Sequence, residues 1–342
     1  MNPPIPPTVV LRTWLFGLLM CATLHVRAQG QPAAAGAAPA RNSPAVLPGN
    51  GLAAYDFFYA GEAKEETMHL VRGGKIVWSY THPASGEISD ATRYANGDIL
   101  FAHQHGVTLI NADGKVIWNY DAPTNTEIHT AQRIGTDHVL FIQNGNPPLL
   151  KVVNIASGAT EKELTLPVGN PKSTHGQFRH ARLTPAGTLL VAHMDLGKVS
   201  EYDATGREVW TVAVPGPWSA TPLTNGDILV CTGKRTVVEI NRQGETVWQF
   251  TPADAPDYKF TSIQIAARLP NGDTLINNWF NQWNGKVDPA NAPVQAIEVT
   301  PAKQIVWALR SWTPPAELGP STTIQLLSEP VTSEGLKFGD IH

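Results

Sequence analysis

The chain has 342 residues, 42% hydrophobic and 16% charged, with 25 basic against 29 acidic side chains and a net charge of −4. No basic block breaks that acidic balance, which excludes nucleic acid and an anionic membrane surface as partners. Two cysteines, Cys21 and Cys231, are too few for a disulfide framework.

The first element is a leader. Arg12 precedes the apolar run TWLFGLLMCATL, and Val26 and Ala28 follow before Gln29. This predicts a secretory signal peptide over 1–28, too short for a spanning helix. Its loss would remove Arg12, Arg27 and Cys21, moving the net charge to −6 and leaving Cys231 without an intramolecular partner. Residues 29–50 are rich in Ala, Pro and Gly and read as a flexible tether. The protein is expected to be periplasmic or secreted, with no membrane span.

From 51 to 330 the chain repeats itself. Five segments carry an apolar strand, a tight turn, two more strands and a close on an outer strand. They start at ISDATRYANGD (88), IHTAQRIGTD (128), FRHARLTPAG (178), WSATPLTNGD (218) and IQIAARLPNGD (263). Residues 56–80 supply only the last three strands of a unit, and STTIQLL (321–327) supplies the missing first one. The prediction is all-β: a six-bladed β-propeller, four antiparallel strands per blade, its ring closed by a C-terminal strand completing the N-terminal blade. Trp78, Trp118, Trp210, Trp248 and Trp307, with Leu164 in the corresponding slot of blade 3, are expected to pack between blades. Residues 331–342 form a tail whose polar composition predicts disorder for about its last ten residues.

The repeated G-K-x-V-W and L-x-N-G-D-x-L patterns resemble the PQQ-like propeller superfamily, and within it the arylsulfotransferase-like, extracytoplasmic branch. The resemblance covers 51–330 and implies fold more than chemistry, because the repeat residues are structural. Quinone-dependent dehydrogenases of that superfamily have eight blades and a vicinal cysteine pair, and this chain has neither. Aryl sulfotransferases carry an N-terminal domain where this chain has only a tether.

Turns between first and second and between third and fourth strands are short and glycine-bearing, so one face of the disc is chemically plain. The other face gathers the second-to-third-strand turns and the inter-blade connections, among them HQHG (103–106), HMDLGK (193–198) and NPKSTHGQFRH (170–180). Loops on a rigid scaffold are where binding groups sit. Starts of the innermost strands place Asp90, His129, Arg179 with His180, Trp218 and Gln264 around the channel mouth, with His103, His175, His193, Tyr258 and Lys259 in the surrounding loops. NNWFNQWNGK (277–286) lies in an insertion of blade 6, which makes Trp279 and Trp283 a candidate cleft wall.

Aromatic planes among amides and charges suit a carbohydrate or another small-molecule ligand. On an acidic or sulfated glycan, His129 or His180 would serve as general base or acid, with Arg179 neutralising the carboxylate in lyase-type chemistry. A pair of carboxylates for hydrolysis is not marked among Asp90, Glu127 and Asp195. The resemblance instead implies sulfuryl transfer through a histidine, with His129, His180 and Arg179 as nucleophile, acid and clamp. A non-catalytic propeller binding a ligand or a protein partner is the third reading. No cofactor is called for, and no metal: HQH at 103–105 with His193 lacks cysteine or carboxylate support.

Overall fold

The computed structural model describes residues 49–61, 67–83, 86–280 and 287–342. The fold belongs to the unit Arg41–His342. It is a six-bladed propeller, six separate four-stranded antiparallel sheets. Blade 1 contains β1 (Phe57–Ala60), β2 (Thr67–Arg72) and β3 (Lys75–Thr81). Blade 2 is β4 (Ile88–Arg93), β5 (Ile99–His103), β6 (Gly106–Ile110) and β7 (Val116–Asp121). Blade 3 is β8 (Glu127–Ile134), β9 (His138–Asn144), β10 (Leu149–Asn154) and β11 (Thr160–Thr165). Blade 4 is β12 (Phe178–Leu183), β13 (Leu189–His193), β14 (Lys198–Tyr202) and β15 (Glu208–Ala213). Blade 5 is β16 (Pro217–Pro222), β17 (Ile228–Thr232), β18 (Thr236–Ile240) and β19 (Thr246–Phe250). Blade 6 is β20 (Ser262–Arg268), β21 (Thr274–Trp279), β22 (Ala296–Val299) and β23 (Ile305–Leu309). The inner strand of blade 1 is the last in the chain, β24 (Thr323–Leu326), paired so that Phe57 faces Leu326 and Ala60 faces Thr323. The expected closure is therefore the observed one.

Local chemistry explains the repeat. In the turns after β4, β16 and β20 an asparagine side chain accepts from the backbone N–H two residues on, Asn96 from Asp98, Asn225 from Asp227 and Asn271 from Asp273. The glycine between them lies at φ near +90°, which a side chain would oppose. Second strands β5, β13 and β17 are buried at every residue, because blades cover both faces; the outermost β11 and β15 alternate with exposure. Outer-strand tryptophans staple neighbouring blades. Trp210 and Trp248 donate their indole N–H to backbone carbonyls of the next blade, Arg242 and Pro301, and Arg242 stacks on the Trp210 ring.

The tail departs from the expectation of disorder. Val331 bridges Tyr94, Ser333 hydroxyl donates to Gly135, and Gly339 N–H donates to Gly187 O. Phe338 is fully buried in an apolar cluster with residues of blades 3 and 4. One aromatic anchor in a polar segment supplies what average composition hides. The tail crosses the plain face, over the first-to-second-strand turns of blades 2, 3 and 4.

Candidate functional site

A β-bulge interrupts the inner strand near its start in five blades, between Ile88 and Asp90, Ile128 and Ala131, Phe178 and Ala181, Pro217 and Ser219, and Ile263 and Ala266. A bulge leaves residues outside the ladder and re-aims their side chains. The residues it frees are Ser89, His129 with Thr130, Arg179 with His180, Trp218, and Gln264 with Ile265. Two tiers of polar contacts result.

The lower tier ties blades 2, 3 and 4 together. Asp90 is buried and receives both guanidinium nitrogens of Arg182, at 2.7 and 2.8 Å, with the Thr130 hydroxyl at 3.1 Å. His180 Nδ1 lies 3.6 Å from Asp90 and the ring is 1% exposed. Burial would raise the Asp90 carboxyl, but the Arg182 charge and then His180 hold it well below the usual carboxylate range. Burial pulls His180 down. Asp90 and His180 are buried inside the ring, and the guanidinium of Arg182 takes both oxygens of the carboxylate.

The upper tier faces the mouth. His129, itself buried, has Nδ1 at 2.7 Å from Glu87 and 2.8 Å from the Ser89 hydroxyl, and Nε2 at 3.0 Å from Glu127. The same Glu127 oxygen lies 2.8 Å from His175 Nδ1, while its other oxygen accepts from Gln104. Arg179 donates to His175 Nε2 at 2.7 Å and to the His175 carbonyl, and its guanidinium lies over the Trp218 ring. A guanidinium can only donate, so Nε2 of His175 accepts and its proton sits on Nδ1, facing Glu127. Burial would raise Glu87 and Glu127, yet hydrogen bonds from His129, and from His175 for Glu127, hold both carboxyls well below their ordinary range.

His175 is more than half exposed. It sits on the 3-10 turn Thr174–Gly176, fastened to the β9–β10 turn. There Asn144 donates to Thr174 O, and the Gln177 amide exchanges two hydrogen bonds with the Gly145 backbone. Beside it opens a cleft of about 540 Å³ lined by His105, the connection 122–127 and Thr174.

Several sequence candidates lie elsewhere. His103 packs against His82 between blades 1 and 2, 4.3 Å ring to ring, and burial followed by the charges of His82 and His105 lowers it to about 3. His193 is fully buried against Phe178 and hydrogen-bonded to Tyr202, lowered to about 3 chiefly by burial. Tyr258 is core, with Arg310 over its ring. All three are buried and bonded or stacked within the blades. Lys259 is exposed and reaches Asn291 O. Gln264 is buried on β20.

The blade 6 insertion does lie between β21 and β22, and the two asparagines near the end of β21 bond to neighbouring segments. Asn278 accepts from the N–H groups of Thr261 and Ser262 and donates to Val294 O, and Asn277 donates to Ser321. Trp279 ends β21, half-buried, and Phe280 packs edge-on to Trp312. Trp283 lies outside the described residues. The partners that sequence reasoning passed over are Glu87 and Gln104. Both stand in loops where spacing carries no period, although EIS (87–89) beside EIH (127–129) repeats one acidic position in two blades.

A family model described as outer membrane protein assembly factor BamB matches residues 171–278. No curated protein matches. Among solved structures, a protein of unknown function from Bacteroides caccae is 24% identical over 79% of this chain and 98% of its own, with a TM-score of 0.68. A streptogramin B lyase is 16% identical over 79% and 87%, at 0.52. Virginiamycin B lyase from Staphylococcus aureus is 14% identical over 73% and 83%, at 0.50. At these identities the likeness is one of fold. No helix among the described residues is long and apolar enough to cross a membrane. The chain is a six-bladed β-propeller that matches a PQQ-like repeat model over 171–278, with an imidazole–carboxylate–guanidinium cluster among the connections and inner strands of blades 2, 3 and 4.

Proposed function

We propose that this mouth binds a small acid-bearing polar molecule, an acidic glycan in the first instance, and acts on it by elimination. One observation carries the reading. Two imidazoles share one carboxylate oxygen at 2.8 and 3.0 Å beside an open cleft, with a guanidinium at the edge of the pair. Such a cluster accepts a proton and neutralises a carboxylate without large reorganisation. On a uronate, Arg179 would meet the carboxylate and the C5 proton would pass to the His129–Glu127–His175 cluster. The C4–O bond would break as a C4–C5 double bond forms, the leaving oxygen taking a proton and no water being consumed. Streptogramin B and virginiamycin B lyases are propellers that share the fold and bear that reaction class in their names, but the proposal rests on the side chains. The matching family model, named for an outer-membrane assembly factor, accords with action outside the cytoplasm.

The test incubates the purified protein with polygalacturonate and alginate and follows the ultraviolet absorbance of the conjugated product. Turnover is expected, falling about 10²–10⁴-fold in His175→Ala with an almost unchanged melting temperature. Binding without turnover would reduce the protein to a ligand-binding propeller. No binding and no turnover on acidic glycans would end the glycan reading.

A further inference from the structure

His129 Nε2, Glu127 Oε2 and His175 Nδ1 meet at 3.0 and 2.8 Å, and a nitrogen of each histidine and an oxygen of Glu87 lie within 4.8 Å of one another. Two donor atoms bound to one ion at about 2.1 Å and roughly 90–110° apart are separated by about 3–3.4 Å. The two nitrogen-to-oxygen spacings, 3.0 and 2.8 Å, are already close to that. We propose that Glu127, His129 and His175 bind a divalent transition-metal ion, of the manganese-to-zinc class, at the channel mouth.

Three further features support it. Glu87 and Ser89 face Nδ1 of His129 and keep a proton on it, so Nε2, on the Glu127 side, is the nitrogen that binds the ion once its own proton is displaced, the carboxylate–histidine–metal arrangement. Gln104 donates to the far oxygen of Glu127 and leaves Oε2 for the ion. The cleft reaches Glu127 and Thr174, so three protein ligands leave coordination positions facing a space that a ligand can enter. Two imidazoles with a carboxylate favour this class over calcium or magnesium, which take oxygen ligands.

Loading changes hydrogen bonding in a definite way. In the metal-free arrangement protons on His175 Nδ1 and His129 Nε2 lie between those nitrogens and Glu127. The ion replaces them, and the His129 Nε2 proton is released to water. The His175 proton moves to Nε2, so Arg179 gives up its hydrogen bond to that nitrogen while the bond to the His175 carbonyl remains. The histidine pair HQH at 103–105 takes no part, because His103 is buried between blades and bonded to Thr108.

The site is that of the elimination reading, but metal binding is measured without any glycan, so either can fail alone. Full-length protein is stripped with a chelator and titrated with Zn2+ and with Mn2+ in a calorimeter. One equivalent of at least one ion is expected to bind, with affinity falling at least about 100-fold in His129→Ala and Glu127→Gln. A fall of about 10–100-fold is expected in Glu87→Gln, whose side chain only orients a ligand. His105→Ala, a cleft residue outside the cluster, should bind as the parent does. His175 is exposed, so His175→Ala keeps the test decisive if the buried variants fail to fold. Absence of binding by both ions overturns the proposal, as does stoichiometric binding that survives His175→Ala and Glu127→Gln.

Discussion

Asp90 shows how much one side chain can be asked to hold. Its two oxygens take both nitrogens of Arg182, and one of them also accepts from Thr130 and the Ala131 N–H, linking blades 2, 3 and 4 across the channel. Removing one member of a buried pair leaves the other charged and unsolvated, at about 3–5 kcal/mol. Asp90→Ala should therefore lose about that much in urea unfolding, and Asp90→Ala with Arg182→Met should lose less than the two single losses added together. Additive losses would mean that the pair is not coupled. Sequence position alone marked Asp90 as facing the channel. Which of its neighbours claimed it was invisible, because Arg182 lies 92 residues away.

At the scale of elements, the tail and the bulges matter most. Phe338 is fully buried, and truncating such a ring costs about 3–5 kcal/mol where the site cannot collapse. A terminal segment can detach alone, so the loss is capped by its local unfolding free energy. Phe338→Ala should abolish hydrogen-exchange protection in the backbone of 335–341 while amides of β5 and β13 keep theirs. Loss of protection throughout the blades would show that the tail is integral to the ring. The strands themselves were legible in the sequence, since alternation and NGD turns are local. The bulges were not: two residues opposing one is a property of the pairing, and it decides which side chains reach the mouth.

For the whole molecule, pH is the broadest probe. His103 and His193 are neutral when folded and titrate near 3, below the ordinary value of 6.5. Below about pH 6.5 the unfolded chain takes up protons that the native one does not, so stability falls as pH falls toward 3. The slope is about 1.4 kcal/mol per pH unit for each ring that is fully protonated only in the unfolded state. Buried His180 acts in the same direction. Asp90 adds nothing until lower pH: its folded value is depressed, so its contribution is present above the unfolded value near 3.8 and is lost as pH falls through the folded one. Denaturant midpoints at pH 7, 5.5 and 4 should therefore drop steeply across the histidine range; midpoints independent of pH there would contradict neutral buried rings.

Blade number, ring closure and the plain and chemical faces follow from local order, because a hairpin needs only its own turn and an alternating strand only its own apolar residues. The opposed ends of the chain could be matched for the same reason: both halves of blade 1 carry the repeat. What occupies the mouth depended on tertiary structure. Glu87, Gln104, Glu127, His129, His175 and Arg179 come from the connections and inner strands of blades 2, 3 and 4, and only ring closure sets their oxygens and nitrogens about 3 Å apart. The histidines that sequence composition drew attention to at 103 and 193 went to the core instead, since a second strand is buried on both faces whatever its end residue could otherwise bind.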